Sequence, residues 1–305
     1  MNTEVSMPLS PAARADLLLL LVTLIAAAGW IFSKQALQAF PPLLFIGIRF
    51  LFAGLLLMLP AYKELRPLLQ QHTLVPVMRL GLLMTCALLC WIMGLQQGTH
   101  LGEGAFITSL GVVLVPLMAW LVYRERASLS TWFSLPVAIF GLLLLSVEGG
   151  ISLAAGQLWF LFAALLFSLH FVLVSRMALA VPALILTAVQ LLMVGVGGIV
   201  VSACFEIWPD SVSDAALGWL FASAFIATSL RFALQTYAQS LAPASHVALI
   251  MTLEPVWAAL LAAIIYGEQM SALQLGGCSL IFMAMLVSRW RWLKPLWRTF
   301  RVGAK

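Results

Sequence analysis

One carboxylate stands where charge is strongly disfavoured. Glu254 lies within the run His246 to Glu268, whose residues are apolar enough and numerous enough to cross a bilayer. Placing a carboxylate at the centre of such a run costs about 2.5–3.5 kcal/mol, so it takes a partner or lines an aqueous cavity. Two roles follow for Glu254: a proton carrier or substrate contact, or a structural carboxylate neutralised by Arg231 or His246 from a nearby segment. Its neighbour Pro255 has no N–H to donate and leaves a carbonyl one turn earlier without its helical donor. A charged group beside a disrupted helix is the pattern expected of a binding site inside a membrane bundle.

Other residues extend that candidate site. Arg49 and Arg231 are the arginines set well inside apolar runs. Arg49 either binds a substrate carboxylate or phosphate in bidentate fashion or bonds a helix-end carbonyl near the outer face. Gln190 falls near the position equivalent to Arg49 in the repeat described below, so the positive charge occurs once, which suits an amphipathic or zwitterionic solute. His170 is either a proton relay or a hydrogen-bond partner to a neighbouring helix. Lys34, toward the outer end of the first apolar run, can reach the interface along its own stem. Trp30 and Trp257 are candidates for a cavity wall, against the alternative of packing on lipid or neighbouring helices.

The elements that must position these residues follow from composition. The 305 residues are 63% hydrophobic and 9% charged, with a mean hydropathy of +1.08. Soluble domains are about 45–50% apolar and about 25% charged, so the chain reads as a polytopic membrane protein. A span needs about 20 apolar residues, which leaves room for about ten spans and no soluble domain. The net charge of +5 sits in cytoplasmic-type loops, so it points to the bilayer and not to nucleic acid. The sequence carries no GxxxxGK[ST], HExxH or GxSxG, and no His/Cys cluster with metal spacing. No ATPase, catalytic residue, metal or cofactor is therefore expected. Cys86, Cys90, Cys204 and Cys278 read as small packing residues in apolar runs.

Ten segments emerge, near 15–39, 42–61, 75–97, 102–123, 128–147, 153–179, 181–205, 214–238, 243–266 and 271–292. Breaks fall at Phe40-Pro41-Pro42, at Pro60 with Lys63 to Pro67, at Arg124-Glu125-Arg126, at Val181-Pro182, at Trp208-Pro209-Asp210 and at Ala242-Pro243. These are turn-forming and helix-ending combinations. With both termini cytoplasmic, Arg14, Lys63, Arg66, Arg79, Arg124, Arg126, Arg176 and the tail from Arg289 lie on one side. The opposite loops carry Glu148, Glu206, Asp210, Asp214 and Glu268 and no Lys or Arg. That asymmetry fixes the expected orientation. The polar start, with no small-residue cleavage site, reads as preceding an uncleaved first span.

A shift of 143 positions lays Ala105 to Ser128 over Ala248 to Ser271, matching Tyr123 with Tyr266, Glu125 with Glu268 and Ser128 with Ser271 among others. Each copy then holds five spans, and an odd number inverts the second copy. The expected organisation is a cytoplasmic segment 1–14, a first five-helix repeat 15–147, an inverted second repeat 153–292 and a basic cytoplasmic tail 293–305. Inverted repeats related by an in-plane two-fold axis enclose substrate sites near the midplane in secondary transporters.

Several motifs carry a family likeness: Gly29-Trp30 with Lys34, Pro42 followed by Arg49, Ser245 to Glu268 with its Leu-Glu-Pro-Val core, and the equivalent Ala105 to Glu125. In these the chain resembles the EamA-type members of the drug/metabolite transporter superfamily over nearly its whole length. The resemblance implies an all-α polytopic fold of ten transmembrane helices in two inverted five-helix repeats. It also implies alternating-access transport of small metabolites in a bacterial inner membrane. The expected cargo is an amino acid or related metabolite, exported through a cavity lined by the first, third, fourth, sixth, eighth and ninth spans, with a proton as candidate coupling ion. The first half departs from the pattern, having Gly111-Val112 where the second has Glu254-Pro255. Two alternatives share this composition: a lipid or polyprenyl-carrier translocase with a lateral opening, and a membrane-embedded lipid-modifying enzyme. No sequence signal sets an oligomeric state.

Overall fold

A computed structural model describes residues 11–70, 73–97, 108, 111–126, 129–146, 155–266 and 271–288. In chain order the helices are α1 (Pro11–Ala36), α2 (Pro42–Gln70), α3 (Leu74–Gln97), α4 (Gly111–Tyr123), α5 (Leu129–Ser146), α6 (Ala155–Met177), α7 (Ala183–Phe205) and α8 (Asp214–Leu241). α9 comes in two pieces, α9a (Ala244–Met251) and α9b (Glu254–Tyr266), and α10 is Ala272–Ser288. No strand occurs among the described residues. In lipid this is the expected outcome, since a helix satisfies its backbone polar groups within one segment. Among the described residues six helices, α1, α2, α3, α6, α7 and α8, are long and apolar enough to cross a membrane. α4, α5, α9 and α10 occupy the remaining expected positions with shorter described lengths.

Prolines punctuate the starts: α2 begins at Pro42, and Pro182 and Pro243 stand immediately before α7 and α9a. A helix start tolerates proline because its first N–H groups lack intrahelical acceptors. One expected break does not occur. α2 continues through Pro60, Lys63 and Pro67 to Gln70. Each proline forfeits its own backbone bond, while Ala61 and Leu65 join one apolar cluster with Val181, just before α7, and Ile185 of α7, which holds the helix on course. The expected packing role of the cysteines also fails in part, because Cys86 and Cys204 are exposed on the outer surface of the bundle.

Pairing follows a two-fold pattern. α2 packs on α7, α5 on α10, α3 on α6, α1 on α8, and α4 on α9a. Exchanging every helix for the one five places along leaves these pairs unchanged, which is the signature of two equivalent halves. Their direction is readable at the α2–α7 seam. A Cβ on Gly47 would lie 2.7 Å from the Ile199 nitrogen, one on Gly54 would lie 2.7 Å from the Leu192 nitrogen, and one on Gly195 would collide with the backbone of Leu51. Numbers rise along α2 as they fall along α7, so equivalent helices of the two halves run antiparallel. α5 and α10 repeat this, with Gly141 against Ile281 and Leu144 against Gly276. The repeats are therefore inverted, as expected.

α8 is interrupted by a wide turn. Phe225–Leu230 is π-helical, and Thr228 Oγ1 and Ser229 Oγ donate to the carbonyls of Ser223 and Ala224, five residues back, at 3.0 Å each. Ser229 also bonds the Ala53 carbonyl of α2 at 3.2 Å. Such turns are commonly found at functional sites.

Candidate functional site

The site forms where α9 breaks. Pro255 cannot donate a backbone bond, so the helix closes early: Thr252 and Leu253 bond Leu249 and Ile250, three residues back, at 3.2 and 3.0 Å. Glu254 then opens α9b. Its carboxylate sits in the first turn of a half-helix, where the unsatisfied N–H groups favour negative charge.

Two distant helices converge on that carboxylate. Trp30 Nε1 of α1 donates to Glu254 Oε1 at 3.1 Å, and an Arg231 terminal nitrogen on α8 donates to Oε2 at 3.3 Å. Both charged side chains are largely buried, at 17% exposure for Arg231 and 23% for Glu254. Of the basic partners expected for Glu254, Arg231 is the one that pairs. His246 instead bonds Asp16 Oδ1 at 2.9 Å, tying α9a to the start of α1.

Arg49 lies in the same neighbourhood, within electrostatic reach of Arg231 and Glu254. Its Nε donates to Thr228 Oγ1 at 2.5 Å, one terminal nitrogen donates to Ser33 Oγ at 2.8 Å and the other to the Ala227 carbonyl at 3.3 Å. These acceptors are neutral, and no carboxylate pairs with Arg49 among the described residues. The carbonyl that Arg49 bonds belongs to the π turn and not to a helix end. Two guanidinium groups and one carboxylate leave this layer with an excess of positive charge.

The remaining candidates spread out. Trp257 donates to Thr23 Oγ1 at 3.2 Å and packs α9b against α1. Lys34 is exposed in the last turn of α1. His170 and Gln190 bond each other at 2.6 Å, and the Gln190 amide donates to the Leu186 carbonyl at 2.9 Å. Gln190 thus faces α6 and does not join Arg49. Under the two-fold exchange its link to α6 corresponds to the link from Arg49 to α1, so the second half has a neutral counterpart of a charged node.

Several polar positions near this layer were not singled out from the sequence: Ser33, Thr228, Gln235, Thr236 and Gln239. Thr236 meets Thr187 Oγ1 at 2.9 Å, while the Gln239 amide donates to the Phe171 carbonyl and Ser175 Oγ at 3.3 Å each. The signal was available in the spacing of Arg231, Gln235 and Gln239, which puts one polar group per turn on a single face of a membrane-length helix.

Comparison with known proteins decides the family. The model of the EamA-like transporter family matches residues 13–147 and again 154–290. The chain belongs to the EamA-like transporter family. Its two family matches meet between α5 and α6, at the junction expected from the internal repeat. An "Uncharacterized transporter" of Archaeoglobus fulgidus is 28% identical over 276 residues, covering 90% of this chain and 85% of that protein. A Yersinia pseudotuberculosis protein named "Probable 4-amino-4-deoxy-L-arabinose-phosphoundecaprenol flippase subunit ArnE" is 32% identical over 130 residues, covering 43% of this chain and 94% of its own length. A solved structure superposes with a TM-score of 0.79 at 18% identity, covering 90% of this chain and 96% of its own. At that identity the likeness supports the EamA-like fold alone.

An apolar surface groove of this EamA-like protein lies elsewhere. It has a volume of about 640 Å³ and is lined by Phe52, Leu55, Leu56, Met58, Leu59, Tyr62 and Phe225 on the outer face of α2 and the π turn. It is apolar and lies outside the bundle, so it is not the polar site around Glu254.

Proposed function

We propose that this protein is a secondary transporter that exports an amino acid or related small metabolite by alternating access, with Glu254, Arg231, Trp30 and Arg49 forming the central site and a proton as the coupling ion. The carrying observation is the junction at Glu254. A carboxylate at a helix break is held by an indole from the first half and a guanidinium from the second. Each half therefore reaches the same group, and a relative movement of the halves must alter its contacts.

That arrangement supports coupling. When the Arg231 contact is in place the carboxylate is neutralised, and when the contact opens the buried charge must find a proton or a cargo cation. The excess positive charge around Arg49 favours a cargo bearing a carboxylate. An orientation with both termini in the cytoplasm accords with the basic residues of the cytoplasmic-type loops. Lys34, Trp257, His170 and Gln190 belong to the supporting wall in this reading.

The test is counterflow in liposomes containing the purified protein, with and without a pH gradient, across a panel of amino acids. Glu254→Gln should abolish gradient-driven flux while leaving folded protein in the membrane. Undiminished gradient-driven flux in that variant would reject the proposed role. Chemical conversion of the solute, without net movement, would support a membrane-embedded enzyme.

A second reading has one specific observation in its favour. The apolar groove beside the π turn lies on the outer side of the α2–α8 contact that holds Arg49, a placement that would suit the tail of a lipid-linked cargo with an anionic head. A relative named as a flippase subunit accords with it. Movement of a polyprenyl phosphate, with no amino acid counterflow, would select this reading.

A further inference from the structure

On the cytoplasm-proximal half of α8 two buried side chains next to the proposed site each keep an atom without a hydrogen-bond partner, while their neighbours are paired. Thr236 meets Thr187, and Gln239 bonds Phe171 and Ser175. Across the same layer His170 and Gln190 satisfy each other. Gln235 stands between these groups, 9% exposed, and its Oε1 has no hydrogen-bond partner. One turn earlier the Nε of Arg231 is also buried without an acceptor, although a terminal nitrogen of the same guanidinium holds Glu254 and its carbon lies 4.4 Å from the ring centroid of Phe232. Side chains four positions apart are neighbours on a helix face, so the unmet acceptor and the unmet donor lie one turn apart on a single face of α8.

Leaving a buried polar group unpaired costs about 1–3 kcal/mol. Four buried side-chain atoms among the described residues lack partners, and three of them, on Ser223, Arg231 and Gln235, belong to α8. A helix that pairs Thr236 and Gln239 shows that neighbouring helices can supply acceptors and donors at this depth.

We propose that Gln235 is a specificity-determining residue of the transport site. Its amide oxygen and the Arg231 Nε–H together receive a cargo group that presents a hydrogen-bond donor beside an anionic acceptor, as the ammonium and carboxylate of an α-amino acid do. The ammonium donates to Gln235 and the carboxylate accepts from Arg231. This rests on the reading of the site as a metabolite-transport site. It adds the residue that separates amino acids from simple carboxylic acids of equal size. Sites that hydrogen-bond a cargo N–H discriminate strongly against analogues lacking it, because their own groups then stay unpaired.

Two measurements test it, and only one needs a cargo. In detergent, Gln235→Met and Gln235→Leu should raise the thermal midpoint of the cargo-free protein by roughly 2–4 °C, since each replaces an unpaired amide by an apolar chain of similar size. A fall of the midpoint in both variants would overturn the proposal, because it would mean that the amide holds the fold together. In liposomes, wild-type counterflow of alanine should exceed that of propionate, and of phenylalanine that of 3-phenylpropionate, by about tenfold or more, and Gln235→Met should bring the ratio for the transported pair close to one. An unchanged ratio would overturn the proposal. If wild-type protein moves no amino acid, the transport reading has failed in its cargo class, and the thermal measurement alone decides whether Gln235 is held unpaired.

Discussion

Trp30 Nε1 stands 3.1 Å from Glu254 Oε1, although 224 positions separate the two residues in the chain. The contact joins the first span of one half to the helix break of the other. Replacing Trp30 with Phe keeps the ring and removes the donor. A hydrogen bond to a charged group contributes about 1.5–3 kcal/mol, so Trp30→Phe should lower the thermal midpoint by several degrees and slow counterflow by about tenfold. Trp30→Ala should destabilise further, through the lost ring contact with Trp91 at a centroid distance of 5.7 Å. Thermal unfolding followed beside flux for the two variants checks the order.

The Arg231–Glu254 pair should behave as a coupled unit. Either Arg231→Met or Glu254→Gln leaves one largely buried charge uncompensated. The double variant removes both charges and should recover much of the lost stability, with an interaction energy of about 1–3 kcal/mol in a double-mutant cycle. Transport should stay lost in all three. Additive losses of stability would show that the pair is not coupled.

Glycines at the α2–α7 seam are required by space. Gly195→Ala would drive a methyl group into the backbone of Leu51 and should cost about 1–3 kcal/mol. Gly218→Ala, where an added Cβ meets nothing within 4 Å, should instead stabilise α8 by about 0.5–1 kcal/mol. Thermal midpoints moving in opposite directions for the two variants would bear this out.

Glu206 closes the same seam at one end. Its two carboxylate oxygens accept from the backbone nitrogens of Leu43 and Leu44 at 2.8 Å each, and Ser202 Oγ donates to it at 2.8 Å. It therefore caps α2 from the end of α7. Glu206→Ala should destabilise the protein by about 1–2 kcal/mol, whereas Glu206→Gln, which keeps one acceptor, should lose less. Hydrogen exchange at Leu43 and Leu44 reports the cap directly.

Topology can be checked on described loops. With native cysteines replaced, a cysteine at Arg124 should react with an impermeant thiol reagent only from the cytoplasmic side, and one at Asp210 only from the opposite side. Labelling of both from one side would contradict the inverted arrangement.

Much of the architecture was legible because membrane chemistry leaves few choices. Hydropathy located the helices, Pro42, Pro182 and Pro243 marked their starts, and the match of Tyr123 with Tyr266 revealed the duplication. The limits were local. Proline was read as a stop at Pro60, but packing of Ala61 and Leu65 on α7 outweighed the one lost hydrogen bond. At the candidate site, Glu254 and Arg231 stood out as charges within apolar runs, and Trp30 as an amphipathic ring suited to a cavity wall. Which basic residue would hold Glu254 was not legible, since the sequence does not show which way the side chains of Arg231 and His246 point. The π turn left no mark in composition, so the hydroxyl and carbonyl that hold Arg49 could not be anticipated. Gln190 was matched to Arg49 by offset alone, which fixes equivalence under a symmetry axis and not contact.

The crossing of α2 and α7 has a mechanical consequence. Two antiparallel rods in backbone contact near Gly195 and Leu51 have no room to move closer there, so rocking one rod on the other about that contact opens one end as it closes the other, like a seesaw on its fulcrum. The end fastened by Glu206 and the end packed around Ala61 and Ile185 lie on opposite sides of that fulcrum. Spreading one end tightens the other, and a chain that is folded this way carries its own safeguard against opening at both ends together.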